Sequence, residues 1–227
     1  MILEMAGETI VRPLRVDAER NLRRLLDAAA QAFAEEGLGV SVAEIARRAE
    51  VGKGTVFRRF PTKEHLVAAI VCDRLQEIER TGTELLAMED AGAALLHFMR
   101  AGAEVQAKDR GFLEAAAGAE LEFEEVLEAK QKLLRVTSGL LERAQMQGIV
   151  RGDVTAEDIV LMECACCQAS APFHAAVPEL WRRYIDLVFD GLRTEAAHPL
   201  SEPALTEAQL AEAHLHLAGK ISAATGA

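Results

Sequence analysis

The sequence predicts an all-α protein, and three observations carry that prediction. Only six prolines interrupt a chain dominated by Ala, Leu, Glu and Arg, the strong helix formers. Aromatic residues make up 4%, with a single Trp and a single Tyr, too few for an aromatic-rich sheet. Apolar residues recur at steps of three and four along most of the chain, the period of a helix with one buried face. The 227 residues are half hydrophobic and 27% charged, a globular balance for one or two domains. No apolar run approaches the roughly 20 residues of a membrane span. The opening MILEMAGETIVRPLR has no basic segment leading into an apolar one, as a signal peptide would. Four cysteines are too few for a secreted disulfide scaffold. A soluble, cytoplasmic protein with reduced thiols is expected.

The elements follow in order. Residues 1–16 read as a flexible arm and Asp17 as the N-cap of the first helix. Leu22, Leu25, Leu26, Ala29 and Phe33 form its apolar stripe, and Gly37 and Gly39 end it. Ser41 with Glu44 three residues on is a capping box for a short helix to about Ala49. The joint Glu50-Val51-Gly52 leads to a second short helix, Lys53 to about Phe60, stopped by Pro61. Thr62 caps a long helix carrying Leu66, Val67, Ile70, Leu75 and Ile78. Further helices are expected over about Ala91–Lys108, Gly111–Ala117 and Leu121–Gln147, the last ending at Gly148. Thr155 with Asp158 opens a helix to about Ser170, followed by Pro172. Pro178 suits the first turn of another helix, to about Thr194. His198–Pro203 is a linker, and Thr206 with Gln209 opens a last helix ending at Gly219. The expected organisation is an arm over 1–16, a head over 17–64, a larger helical domain over 65–197, and a linker with a C-terminal helix over 198–227.

Charge is distributed unevenly over a chain of net −11. Residues 1–64 hold eleven Lys and Arg against ten Asp and Glu; residues 65–227 hold fourteen against twenty-six. Arg47, Arg48, Lys53, Arg58, Arg59 and Lys63 gather within 17 residues that contain one acid, Glu50. Overall acidity therefore does not exclude a nucleic-acid partner, since binding depends on the local patch. That patch coincides with two short helices joined by three residues, a helix-turn-helix. Ala46 provides the small residue for a close crossing, and Ile45, Ala49, Val51 and Val56 provide the inner face. Lys53, Gly54, Thr55, Arg58 and Arg59 are left to face a major groove.

Residues 18–66 resemble the DNA-binding domain of the tetracycline-repressor (TetR) family. VAEIARRA, V-x-K-G-T-V-F and F-P-T-K-E-x-L occur in order and at the family's spacing. The resemblance implies an all-helical dimer, with a three-helix head and a larger domain that binds a small molecule and dimerises. It implies double-stranded DNA with an inverted-repeat operator as partner. Lys53 and Gly54 would open the recognition helix; Thr55 would meet a phosphate or a thymine methyl; Arg58 and Arg59 would read bases or grip phosphate. Lys63 matches a phosphate-binding lysine, and Ser41 a hydroxyl capping the second helix. Three departures stand out. Phe57 replaces the usual tyrosine and loses a phosphate hydrogen bond. Glu50 occupies a turn position where glycine is common, and a left-handed backbone there costs about 1 kcal/mol. Gly52 replaces a serine-type cap.

In the second domain, TAEDIVLMECACCQAS is apolar on two faces. Ile159, Met162, Cys166 and Ala169 share one stripe; Val160, Cys164, Cys167 and Ala171 share the other. By resemblance, Val160, Cys164 and Cys167 meet a second copy, together with Trp181, Tyr184, Ile185, Val188 and Leu192 of the next helix. Candidate effector contacts are His97, Phe98, Met162, Glu163 and Cys166, of which Glu163 interrupts an otherwise apolar helix. The acids Glu114, Glu120, Glu122, Glu124, Glu125 and Glu128 read as a solvated face. No metal site and no cofactor are expected; only Cys164 and Cys167 share a helix face, with no histidine at usable spacing. Walker, G-x-G-x-x-G, G-x-S-x-G and HExxH motifs are absent. The sequence thus reads as a non-enzymatic, ligand-responsive transcriptional regulator, a homodimeric repressor released from its operator by a small molecule of unknown identity. Two alternatives remain at this point: a thiol-based metal or redox sensor using Cys164 and Cys167, and a helical small-molecule-binding protein or enzyme without a DNA function.

Overall fold

The computed structural model describes residues 11–109, 123–206 and 209. Among these it shows eight α-helices and no strand: α1 (Val11–Glu36), α2 (Val42–Arg48), α3 (Lys53–Arg59), α4 (Lys63–Leu85), α5 (Ala91–Lys108), α6 (Glu124–Met146), α7 (Ala156–Ser170) and α8 (Leu180–Leu192). The expected helix at Gly111–Ala117 and the acids Glu114, Glu120 and Glu122 lie outside the described residues, as do residues 1–10 and most of the C-terminal helix.

Side-chain caps place most of the helix starts. The Ser41, Thr62, Asp90 and Thr155 side chains accept from the backbone N–H three residues on, and Thr155 with Asp158 completes a reciprocal capping box. Thr206 and Gln209 make the same reciprocal pair, at 2.9 and 3.3 Å. At Ser41 only half of the expected box forms, because the Glu44 carboxylate turns to Arg47 and Arg48 instead. Gly37 (φ +71°) and Gly148 (φ +70°) supply the left-handed residues that follow α1 and α6. Two expected boundaries move. The first helix begins at Val11, so residues 11–16 are helical and Asp17 lies inside the helix rather than capping it. Pro13 does not prevent this, because first-turn N–H groups have no intrahelical partner to lose. Pro178 lies in a turn just ahead of α8.

Two apolar cores share α4. The first collects Leu25, Leu26, Ala29 and Phe33 of α1, Ile45 and Ala46 of α2, Val56 of α3, and Leu66, Val67 and Ile70 of α4. The head's core therefore runs past the expected boundary at 64 to about Ile70. The second begins at Ile78 and joins α4 to α5, α6, α7 and α8 through Leu95, Phe98, Met99, Leu140, Ile159, Trp181 and Ile185. Here the helices pack closely. A Cβ on Gly82 of α4 would come 2.5 Å from Val136 of α6 and 2.7 Å from Phe98 of α5. The segment after α6 is pinned to the end of α8 by an antiparallel bridge, Val150 with Arg193.

Candidate DNA interface and effector core

α3 is held by a single buried residue, Val56, which is fully inaccessible. The rest of the helix is free to face a partner: Lys53, Gly54, Thr55, Phe57, Arg58 and Arg59 are all exposed. Phe57 is turned outward, 43% exposed, with the Lys53 ammonium 5.6 Å from its ring centroid. The turn before α3 places Glu50 at φ +54°, the left-handed conformation expected for this position, while Gly52 caps α3 in an extended conformation without a side-chain bond. Ser41 sits exposed at the start of α2, its hydroxyl engaged by the Glu44 N–H at 3.1 Å.

The basic cluster divides into two halves. Arg47 pairs with Glu44 at 2.7 Å; Arg48 reaches Glu44 at 3.0 Å, Glu35 at 2.7 Å, and Glu36. Hydrogen bonds from Arg47 and then Arg48 hold the Glu44 carboxyl down at about 2. Lys53, Arg58 and Arg59 carry no ion pair with a described residue. Lys63 makes a contact within the head in the DNA-free protein. Its ammonium donates to the Leu38 carbonyl at 2.7 Å and is half-buried, so it clips the α1–α2 connection onto α4.

The inner face of α7 is one residue out of step with the expected stripe. Ile159, Glu163, Cys166 and Ser170 are buried; Met162 is only partly so, and Ala169 is exposed. Glu163 thus points into the core rather than to solvent. It is 6% exposed, its Oε1 has no hydrogen-bond partner among the described residues, and burial raises its carboxyl well above the usual range. Phe98 and Cys166 are buried beside this core, whereas His97 is exposed on the opposite side of α5. His97 is therefore removed from the interior set, since the helical period that buries Phe98 and Met99 turns it outward.

The expected dimer stripe is also corrected. Trp181, Ile185 and Leu192 are buried, with Phe189, in the chain's own core, and Tyr184 and Val188 pack at its edge. The apolar surface that remains outward on α7 and α8 carries Leu161 (47% exposed) and Leu187 (54% exposed), with Val160 and Cys164 half-buried nearby. Burial raises the Cys164, Cys166 and Cys167 thiols, the last to about 12, and the Cys167 thiol donates to the Ala103 carbonyl. Reactive or metal-binding cysteines have lowered pKa values. Among the described residues no group of three His, Cys, Asp or Glu is placed to hold a metal ion, and no helix is long and apolar enough to cross a membrane.

One feature at the junction of the two cores has no clear sequence signal. Arg74 of α4 reaches Asp27 of α1 at 2.8 Å, Asp73 at 2.9 Å, and Asp109 at the end of α5. Arg23 of α1 adds bonds to Asp73 and Glu77. Arg23 and Arg74, with Asp109, Lys108 and Glu104, line a cavity of about 360 Å³. Apart from Arg74 and its neighbour Asp73, the partners are 35 to 54 residues apart in sequence, and no local periodicity relates them.

Comparison with known proteins agrees with this geometry. Residues 25–70 match the family model for bacterial regulatory proteins of the tetR family, and residues 90–194 match the SbtR-like transcriptional regulator C-terminal domain. A TetR transcription regulatory protein from Mycobacterium vanbaalenii is 40% identical over 80% of this chain and 99% of its own, with a TM-score of 0.61. The regulator SCO0520 from Streptomyces coelicolor is 28% identical over 76% and 98%, with a TM-score of 0.61. The regulator FadR from Bacillus subtilis, in complex with stearoyl-CoA, shares the fold at 19% identity over 78% and 99%, with a TM-score of 0.62. With its exposed α3 and its cores joined by α4, this chain belongs to the TetR family of DNA-binding, ligand-responsive transcriptional regulators.

Proposed function

We propose that the chain acts as a homodimeric repressor in the cytoplasm, released from an inverted-repeat operator by a small molecule. The observation that carries this is the exposure of α3: a helix anchored by Val56 alone, presenting Lys53, Thr55, Arg58 and Arg59 outward. Inserted in a major groove, Arg58 and Arg59 are suited to guanine O6 and N7, and Lys53 to phosphate. Ser41 and Gly54 let the backbone approach the DNA. Lys63 positions the head from within in the free protein. Dimer contact is assigned to the outward apolar face around Leu161 and Leu187, with Val160, Cys164, Tyr184 and Val188 at its margin. Effector binding is assigned to the interior around Phe98, Met162, Glu163 and Cys166. Differential binding of the effector to two head spacings, with a coupling of about 1–3 kcal/mol, changes operator affinity roughly 5–150-fold.

Footprinting on the region upstream of the protein's own gene tests the DNA assignment. A protected inverted repeat is expected, and Arg58→Ala should relax the consensus at one or two positions per half-site. An unchanged consensus from binding-site selection with Arg58→Ala, or no protection anywhere, defeats it.

A further inference from the structure

We propose that Glu163 is the polar anchor of the effector site and that the effector is an apolar organic cation, an amine whose ammonium pairs with this carboxylate. The inference deepens the ligand-binding assignment above and rests on it. Its basis is a carboxyl that no side chain among the described residues answers. Glu163 lies on the inner face of α7 between Ile159 and Cys166, both buried, and its Oε1 is sealed from solvent without a hydrogen-bond partner among the described residues. Opposite it, α5 offers no side chain at Gly102. A Cβ there would come 2.6 Å from Oε2, so the glycine creates the space that the carboxyl enters. Met99 and Ala103, which flank Gly102 on α5, and Cys166 on α7 belong to the apolar core.

Three arginines on the packed helices are engaged elsewhere, and Lys130, Lys132, Arg135 and Arg183 are exposed on the outer faces. Arg100 of α5 pairs with Asp186 of α8 at 2.7 Å, and Arg182 of α8 bonds Glu179 and Glu104. Arg143 of α6 donates from Nη2 to the Met88 carbonyl, before the start of α5, while its Nη1 is buried without a partner among the described residues. His97 is exposed, and the thiols of Cys164, Cys166 and Cys167 are neutral at physiological pH, their pKa values raised by burial. A buried acid without a partner costs stability, and its cheapest resting state is the protonated one. An arriving ammonium supplies the missing charge, so the Glu163 proton leaves for solvent as the pair forms. The acidic domain around it, with fourteen basic against twenty-six acidic residues over 65–227, favours the approach of cations.

Isothermal titration calorimetry on the full, DNA-free chain tests this with three probes of one length: hexylamine, hexanol and hexanoate. Hexylamine should bind about tenfold or more tightly than hexanol, and hexanoate should not bind. Titration in two buffers of different ionisation enthalpy should show about one proton released per hexylamine at a pH where Glu163 is protonated. Glu163→Gln should abolish the proton release and cut hexylamine affinity about tenfold while leaving hexanol unchanged. Glu163→Met, with its melting checked, repeats the measurement should the amide disturb the fold. Equal binding of amine and alcohol, no amine binding, binding without proton release, or unaltered amine affinity in both variants overturns the assignment. Operator titration with and without hexylamine is read separately: amine binding that leaves DNA affinity unchanged keeps the site and removes ligand release from the proposed function.

Discussion

Replacing Arg74 by methionine should destabilise the protein by about 2–3 kcal/mol at neutral pH. Methionine keeps the aliphatic stem and removes the guanidinium. The Arg74 side chain is 11% exposed, and the partners it leaves behind differ: Asp109 is 18% exposed, Asp73 20% and Asp27 52%. Breaking a fully buried pair costs about 3–5 kcal/mol and an exposed one about 0–1. Asp27 lies near the second limit. Asp73 keeps a bond from Arg23 at 3.4 Å. Most of the loss therefore falls on Asp109, whose carboxyl burial already raises above its usual value even with Arg74 beside it. The sign with pH follows. Without Arg74, the native Asp109 holds its proton to higher pH than the unfolded chain does, so the variant loses stability as pH rises through that range. The deficit should be largest at pH 7 and shrink towards pH 5. Urea unfolding followed by the fluorescence of Trp181, the single tryptophan, measures it. At roughly 2–4 °C per kcal/mol for a chain of this size, the melting temperature should fall by about 5–10 °C. Adding Asp109→Asn should recover about half of the loss, because an amide needs no counter-charge. A deficit under about 0.5 kcal/mol, one independent of pH, or no recovery in the double variant would refute this account of the junction.

Four further outcomes are expected. Phe57→Tyr should tighten operator binding a few-fold up to about tenfold with unchanged consensus and melting, because the ring is exposed and a hydroxyl there can reach phosphate; weaker binding with a lower melting temperature would place the ring inward. Glu50→Gly should stabilise the head by about 0.5–1 kcal/mol, as relief of left-handed strain exceeds the entropy cost of glycine; a lower melting temperature contradicts it. Glu163 has a native pKa raised above its unfolded value, so its contribution to stability is fully present below the unfolded pKa and is lost as pH rises through the native one. Glu163→Gln should flatten this decline in urea midpoints between pH 5 and 8, and equal slopes would disprove it. Operator affinity should fall with salt at a log–log slope of about −5, as about six phosphates are neutralised per dimer by the cations of the two heads; a salt-independent affinity would refute it.

Elements marked by local chemistry are legible in the sequence. Ser41, Thr62 and Thr155 announce α2, α4 and α7 because a cap is a bond between residues three apart. The three-residue joint announces the turn, including the left-handed Glu50. The face of α7 is not legible in this way. With apolar residues nearly all round, the pattern has no preferred direction, and a stripe through Met162 reads as well as the observed one through Glu163. The same ambiguity assigned Trp181, Ile185 and Leu192 to a partner, since a sequence shows that a stripe is buried and not which chain buries it. The bond from Lys63 to the Leu38 carbonyl spans 25 residues and has no local signal. Asp27, Arg74 and Asp109 meet only through tertiary packing.

The pairing of Arg47 and Arg48 with Glu35, Glu36 and Glu44 has a consequence for how the protein meets DNA. These ion pairs cancel one flank of the basic cluster and leave the charge that has no ion-pair partner among the described residues on the exposed face of α3. The rest of the chain carries a strong negative excess that repels a phosphate backbone. Diffusing molecules that approach in most orientations are therefore turned away, and those that approach with α3 leading are drawn in. Such a field works as an orientation filter on encounter, raising the fraction of collisions already aligned with a groove and so the association rate. Because the filter acts across water, salt erases it over a Debye length of about 8–10 Å at physiological strength, before it weakens the contacts made once the helix is seated.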